Sequence, residues 1–343
     1  MTQWNPGPAD PNQPQQYPQY PQYPPPPPEG YPAEGYTVAP QVFTPTEDPL
    51  ISADFGGWWN KGITIVKRGW KPLVALQAVG LILTILVEAP IAVYSALVSD
   101  DFNQQFANQT TPESVDFGPV IGLVGFGLGA ILLSVVVAAV VTLATVHIGV
   151  SVAVGAPARV GDAIGMAVRR ILPLIGWQLL AIPIYIAAVC LCVLPVFYIA
   201  AVFLVLPVVV AVERTNAISR CFSLFHNDLG ASASRAATII GITIGASVLG
   251  GAIGSGIDVA MRSTTPGNNG VIVGSVASTL VTAVIGGAIA VFVAPLTLAA
   301  YADLRARREP THGLTIAQEL GITPSMITQW PPSNPTGYAM PPA

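Results

Sequence analysis

Long apolar runs with almost no charge constrain this chain more than any other feature. Five such runs cover residues 73–98, 120–146, 171–212, 236–257 and 271–300, and Glu88 is the only charged residue in them. A helix needs about 20 apolar residues to cross the hydrocarbon core of a bilayer. The third run is long enough for two spans, with a break near Leu194-Pro195. We predict six transmembrane helices, at residues 73–98, 120–146, 172–192, 195–212, 236–257 and 271–300.

The composition agrees with a membrane protein and excludes an ordinary soluble enzyme. Charged residues make up 9% of the chain and hydrophobic residues 52%, whereas soluble domains carry about 25% charged residues. So few charges cannot cover a surface that faces water. The expected fold class is all-α, with six transmembrane helices in three hairpins. The first residues lack the basic and apolar regions of a signal peptide, so we expect insertion through an internal span.

The basic residues are segregated to one side of the predicted spans. With six spans both termini share a side, and the segments on that side hold 13 of the 14 Lys and Arg residues. Arg262 is the exception, and the loop between the first two spans carries Asp100, Asp101, Glu113 and Asp116. Basic residues next to spans stay on the cytoplasmic side. We therefore expect a multi-pass membrane protein with both termini in the cytoplasm.

Pro-rich sequence flanks the predicted membrane domain at residues 54–308. Residues 1–53 hold 15 of the 33 prolines, and residues 309–343 hold seven more. Such sequence cannot bury enough apolar surface to offset its chain entropy, so both tails are predicted to be disordered, except for a short helix at 314–320. Tyrosines recur every third residue in the first tail and would form a stripe on a polyproline II helix. This tail is either a ligand for a cytoplasmic partner protein or a tether without a fixed partner.

Each pair of spans follows a short basic amphipathic segment, at residues 55–70, 160–171 and 214–229. In the second segment the apolar residues recur with the spacing of one helix face. Such a helix lies in the membrane interface with its basic face toward anionic headgroups, or it is an ordinary connector between spans. Because these cations adjoin the spans, they give no reason to expect nucleic acid. The candidate lipid-contact residues are Lys67, Arg68, Arg169, Arg170, Arg214 and Arg220.

The sequence holds one polar candidate within a span and no set of catalytic residues. Glu88 lies just past the middle of the first span, where a carboxylate is costly and often marks an ion or substrate path. It could instead be protonated or lie in an aqueous dent of the membrane. No His, Cys, Asp or Glu cluster has the spacing of metal ligands, so no enzyme activity, cofactor or metal is expected. The favoured function is a non-enzymatic membrane protein that organises lipids or partner proteins. The alternative is a transporter or flippase component with Glu88 as its coupling group.

The stretch from about Ala158 to Leu320 carries the motifs of a known membrane module. These motifs are Gly161-Asp162-Ala163-Ile164, the segment from Arg169 to Leu174, Leu194-Pro195 with Tyr198, Pro207 with Glu213, the segment from Tyr301 to Arg305, and Glu319-Leu320. They resemble the glycerophosphodiester phosphodiesterase membrane-domain family of bacterial proteins, although Val196 stands where that family usually has Gly. In enzymes of that family a separate barrel performs metal-assisted hydrolysis, for which the flanks here leave no room. The resemblance therefore implies a membrane module without that activity.

Overall fold

The structure is a computed structural model that describes residues 48–108, 117–191 and 193–323. Every regular element in these residues is an α-helix, so the all-α class is confirmed. In chain order the helices are α1 (Phe55–Asn108), α2 (Gly118–Ala153), α3 (Val160–Leu191), α4 (Val193–Phe203), α5 (Leu206–Val212), α6 (Ala217–Asn227), α7 (Leu229–Thr264), α8 (Asn268–Arg308) and α9 (Gly313–Glu319). Most of the two predicted Pro-rich tails lies outside the described residues.

Six helical segments in the described part of the chain are long and apolar enough to cross a membrane. They are Phe55–Asn103, Gly118–Ala153, Val160–Leu191, Leu194–Val212, Leu229–Thr264 and Asn268–Arg308. This number agrees with the six predicted spans. Most of the helices are longer than the predicted spans, because a helix can continue past the apolar run into polar residues while its backbone hydrogen bonds are still made.

The three amphipathic segments differ in how they join their spans. The first forms one helix with its span, α1, which is kinked at Gly69, where φ is −105° and ψ is 15°. The second runs without interruption into its span as α3, so the separate helix expected there is not found. Only α6 is a helix of its own, and Asn216 caps it by accepting a hydrogen bond from the Ser219 backbone N–H at 3.1 Å. Periodicity identifies a helical face but does not reveal whether a helix ends or bends there.

The fourth span is interrupted, although the sequence predicted one helix over 195–212. α4 ends at Phe203 and α5 begins at Leu206, with Pro207 in its first turn. Proline is tolerated in a first turn but would clash with a preceding turn of helix. In this span 56% of the most apolar window is buried, against 6% in the corresponding windows of α1, α2 and α8. The interrupted span is therefore the best-buried of the six.

Small residues let α7 and α8 approach closely. The two helices run antiparallel, with Gly254 against Ser278 and Gly274 against Asp258. A Cβ atom at Gly254 would lie 2.8 Å from Thr282 Oγ1 and 3.3 Å from the Ser278 carbonyl oxygen. Any side chain at residue 254 would therefore force its neighbours in this seam to shift. α8 also packs against α1, and α1 against α2.

Burial is concentrated where the basic residues lie. We define the basic end as residues 48–76, 143–177, 199–239 and 296–323, and the far half as residues 79–103, 117–136, 179–191 and 244–284. The largest fully buried side chains in the described residues, including Trp58 and Tyr301, lie at the basic end. The far half instead exposes large apolar side chains such as Leu86 and Ile121. A surface of that kind suits lipid as its solvent.

Sequence on either side of the predicted membrane domain belongs to the folded basic end. Leu50 and Ile316 are fully buried. Asp48 accepts hydrogen bonds at 2.8 Å from the backbone N–H groups of both Leu50 and Gly313. The folded part therefore extends beyond residues 54–308, because apolar side chains from both flanks complete the core. The short helix predicted in the second flank is confirmed as α9.

Candidate anion-binding site at the basic end

A cavity of about 950 Å³ opens at the basic end, between α2, α3, the C-terminal end of α5 and α9. Three of the six predicted lipid-contact residues, Arg169, Arg170 and Arg214, line it. The first two lie on α3 and the third follows α5, so the fold brings together cations that are distant in sequence. We call this site the arginine cavity. Its other polar lining residues are His147, Asp162, Glu213, Thr215, Gln318 and Glu319.

The pattern of α3 explains why its polar face lines the cavity. Ala163, Ala167 and Leu174 are fully buried on one face of the helix. Their small or apolar side chains let α3 pack closely on its neighbours. Asp162 and Arg169, seven residues apart, lie on an adjacent face and line the cavity. The segment that the sequence marked as amphipathic therefore turns its charged face to this opening.

The three guanidinium groups differ in their partners. Arg170 Nη1 donates hydrogen bonds to the carbonyl oxygens of Val210 at 3.2 Å and Glu213 at 3.5 Å. Carbonyl groups at the C-terminal end of a helix lack a partner within it, so this contact fixes Arg170 at the cavity wall. Arg169 and Arg214 are exposed. Neither forms an ion pair within the described residues, so both are available to an anion.

Two of the three carboxylates that line the cavity form ion pairs with arginines outside its lining. Glu213 forms an ion pair with Arg220 at 2.7 Å. The Glu319 carboxylate accepts hydrogen bonds from both terminal nitrogens of Arg305, and the distance from Nη2 to Oε1 is 2.7 Å. Asp162 is the remaining carboxylate, and no cation pairs with it in the residues that the structure describes.

The pairs behind the cavity are joined into one network. Glu309 accepts from Arg220 at 2.6 Å and from Arg305 at 2.5 Å. Partial burial acts to raise the pKa of the Glu309 carboxyl, but the contacts with these two arginines outweigh burial and hold that pKa below its usual value. Tyr301 donates to Glu213 at 2.7 Å and accepts from Arg305 at 3.1 Å. The network connects α6, α8 and the residues around α9.

The arginine cavity therefore carries excess positive charge. Three guanidinium groups face one uncompensated carboxylate, that of Asp162. His147 also lines the cavity, and its Nδ1 atom is buried without a hydrogen-bond partner in the described part of the chain. The planar donors of arginine match the oxygens of phosphate, and bonds between charged groups are the stronger hydrogen bonds. The arrangement is suited to holding an anion.

A separate ion pair at the basic end is fully buried. Arg235 Nη2 lies 2.9 Å from Asp303 Oδ2, and the two side chains are 3% and 0% exposed. Asp303 Oδ1 also accepts a hydrogen bond from the Ser52 backbone N–H at 2.6 Å. The Arg235 guanidinium lies 5.7 Å from the centre of the Trp58 ring. This pair connects α7, α8 and the segment before α1.

The other predicted lipid-contact residues lie outside the arginine cavity. The charge of Arg220 is compensated by its acidic partners. Arg68 lines a different cavity of about 540 Å³ together with Lys61, beside the first half of α1. Lys67 is exposed on the same helix. The structure therefore divides the six predicted residues among four environments.

Glu88 is exposed on α1. A cavity of about 490 Å³ lies among the membrane-crossing helices, between α1, α2, α5 and α8. Gln77 and Thr145 line it, and Gln77 Nε2 donates to Thr145 Oγ1 at 3.4 Å. Leu204, at the break between α4 and α5, also borders this cavity, whereas Glu88 does not.

Sequence analysis missed the acidic partners of the arginines, Glu309 and Glu319 among them. Tyr301, Arg305 and Glu309 follow one another at intervals of four, which on a helix places them on one face. That spacing could have predicted the contacts among these three side chains. The pairing of Glu309 with Arg220, across 89 residues, had no signal in the sequence.

Comparisons with protein-family models, with curated proteins and with solved structures found no match to this chain. The site is therefore interpreted from its own chemistry. Across residues 48–108, 117–191 and 193–323, no group of three or more His, Cys, Asp or Glu side chains is placed to hold a metal ion.

Proposed function

We propose that this protein is a non-enzymatic integral membrane protein that organises lipids, and with them partner proteins, at the bacterial cell (inner) membrane. It does so by binding an anionic lipid headgroup in the arginine cavity. The observation that carries this proposal is the convergence of Arg169, Arg170 and Arg214 on one cavity at the end of the membrane-crossing helices. Headgroup phosphates occupy that depth, because the hydrocarbon core ends where the apolar runs end.

In this proposal the basic end faces the cytoplasm and the six spans form three hairpins. The confinement of 13 of 14 basic residues to one side of the spans supports this orientation. The amphipathic segments would lie in the interface. Val168 and Leu172, which flank Arg169 on α3, are 58% and 78% exposed. Apolar side chains exposed beside a cationic cavity suit the acyl chains of the same lipid.

Membership of the glycerophosphodiester phosphodiesterase membrane-domain family is part of the same proposal. Asp162, Arg169, Arg170 and Glu319 belong to the motifs that carry the resemblance, and all four line the arginine cavity. A family likeness centred on these residues fits a membrane module that binds lipid and does not hydrolyse it.

The test compares an Arg169→Gln/Arg214→Gln double variant with Arg159→Gln. Arg159 is exposed just before α3 and lies outside the cavity lining, so it is a matched control for loss of charge at the same border. Full-length proteins are incorporated into nanodiscs that contain phosphatidylcholine with or without phosphatidylglycerol. We expect the double variant to retain at least about a hundredfold less phosphatidylglycerol, because it loses two arginines and charge-assisted hydrogen bonds contribute about 1.5–3 kcal/mol each. Equal retention by the wild type, the double variant and Arg159→Gln would contradict the proposal.

Recruitment of a cytoplasmic protein by residues 1–53 stays a prediction from the sequence. Deletion of these residues should abolish partner capture in a pull-down and leave membrane insertion intact. Unchanged capture would remove the recruiting role while leaving the lipid site in place.

The alternative function, a transporter or flippase component, receives support from the cavity of about 490 Å³ beside the interrupted fourth span. Broken helices that border cavities occur at the binding sites of transporters. Glu88 lies outside that lining, which weighs against its role as a coupling group. If Glu88 is the coupling group, Glu88→Gln should abolish transport in reconstituted vesicles, and transport by the variant would contradict that role. Absence of transport by the wild type would contradict the alternative function itself.

A further inference from the structure

The volume of the arginine cavity exceeds what a bare phosphate would occupy. The cavity measures about 950 Å³, at the upper end of the range of about 300–1,000 Å³ that is typical of small-molecule sites. A phosphate group held by Arg169, Arg170 and Arg214 would fill only the cationic part. The rest of the cavity has its own polar lining, and its chemistry indicates what the phosphate carries.

The other polar residues of the lining differ from the arginines because they can accept hydrogen bonds. Asp162 lies seven residues before Arg169, about 10 Å along the helix axis at 1.5 Å per residue. Its carboxylate accepts hydrogen bonds and repels anions. Thr215 and Gln318, which can donate and accept, line the same cavity. The lining of the cavity therefore combines three cations with a carboxylate and neutral groups that accept hydrogen bonds.

We infer that the arginine cavity binds a phosphate ester of a polyol, with the phosphate at the arginines and a hydroxyl group of the polyol donating to Asp162. The inference rests on the proposed function and names the headgroup class for that site. A phosphomonoester without a polyol leaves Asp162 unsatisfied and facing an anion. An ethanolamine headgroup would satisfy Asp162, but such a lipid is zwitterionic. Three guanidinium groups against one uncompensated carboxylate favour a ligand with net negative charge.

The same chemistry exists in two sources, a lipid headgroup and a soluble polyol phosphate. The exposed side chains of Val168 and Leu172 beside the cavity favour the lipid. A soluble ester would gain nothing from that apolar surface. Phosphatidylglycerol and free glycerol phosphate therefore serve as the two probes.

The test measures binding of phosphatidylglycerol, phosphatidic acid, phosphatidylethanolamine and glycerol phosphate to the full-length protein by native mass spectrometry. The proteins compared are the wild type, Asp162→Ala, Asp162→Glu, Arg169→Gln and Arg159→Gln. We expect Asp162→Ala to weaken phosphatidylglycerol binding about tenfold, as for the loss of one hydrogen bond to a charged group. The same change should leave phosphatidic acid binding equal or tighter, because it removes a repulsive charge. Asp162→Glu keeps the acceptor and should retain most phosphatidylglycerol binding.

The outcomes separate this inference from the proposed function. An equal loss of phosphatidylglycerol and phosphatidic acid in Asp162→Ala would overturn the polyol assignment. So would wild-type protein that binds phosphatidylethanolamine as tightly as phosphatidylglycerol. In both cases a loss of anionic lipids in Arg169→Gln, with no loss in Arg159→Gln, would still support the lipid site. Binding of glycerol phosphate as tight as that of phosphatidylglycerol would support the polyol assignment and contradict a lipid role.

Discussion

At the basic end, ion pairs and large buried side chains connect helices that are far apart in sequence, whereas the far half is built from apolar helices that meet along seams of small residues. Arg235 and Asp303 are almost completely buried at the basic end. The far half also has an ion pair, between Arg262 and Asp258, but its side chains are 33% and 25% exposed, respectively. The difference indicates that the far half is stabilised by contact between lipid and its exposed apolar side chains. The basic end is stabilised instead by ion pairs and hydrogen bonds between its own polar groups.

The largest expected effect comes from breaking the buried pair. Asp303→Asn leaves the Arg235 guanidinium buried without a counter-charge and should lower the free energy of unfolding by about 3–5 kcal/mol. Asp258→Asn, at the partly exposed pair, should cost about 1 kcal/mol or less. Unfolding of both variants in mixed detergent micelles measures the two values. Equal losses would remove the distinction between the two ends.

A smaller effect is expected at the seam of the far half. Gly254→Ala places a methyl group 2.8 Å from Thr282 Oγ1 and should cost about 1–3 kcal/mol through overpacking. Gly245→Ala is the matched control on the same helix, since no atom lies within 4 Å of a Cβ there. It should be neutral or slightly stabilising. A thermal melt of each variant in the same detergent gives the comparison, and similar melting temperatures would contradict close packing at Gly254.

The smallest effect concerns pH at the basic end. The folded-state pKa of Glu309 lies below its usual value, so its stabilising contribution is complete above the unfolded pKa of about 4.3. The contribution is lost as pH falls through the folded pKa. Because Glu309 is 36% exposed, we expect no more than about 1 kcal/mol. Between pH 7 and pH 3 the melting temperature should fall less steeply for Glu309→Gln than for the wild type. Parallel curves for the two proteins would argue against a stabilising role of the network around Glu309.

The six crossings could be predicted because each depends on a local property, the length of an apolar run relative to bilayer thickness. The division of the 42-residue run into two spans followed from the same arithmetic. The predicted position of the break was less accurate, because α3 ends at Leu191 and Leu194-Pro195 lies inside α4. The interruption between Phe203 and Leu206 was not predicted, since Pro207 can equally bend a membrane helix. The kink at Gly69 likewise has no signature in apolar periodicity.

The candidate site could be predicted only in part. Arg169, Arg170 and Arg214 were predicted to contact lipid headgroups because they adjoin the spans. Their convergence on one cavity depends on how α3, α5 and α9 pack, which no local pattern encodes. The neutralisation of Glu213 and Glu319, which gives the cavity its excess charge, depends on pairs formed across the fold.

The central claim is that the chain crosses the membrane six times with its basic end in the cytoplasm. It is tested by labelling single cysteines, Arg159→Cys and Asp101→Cys, in a chain whose three native cysteines have been replaced. Both positions are exposed, one at the basic end and one in the far half. A membrane-impermeant maleimide should label Asp101→Cys in intact cells and Arg159→Cys only after permeabilisation. Labelling of both positions from the same compartment would contradict the account.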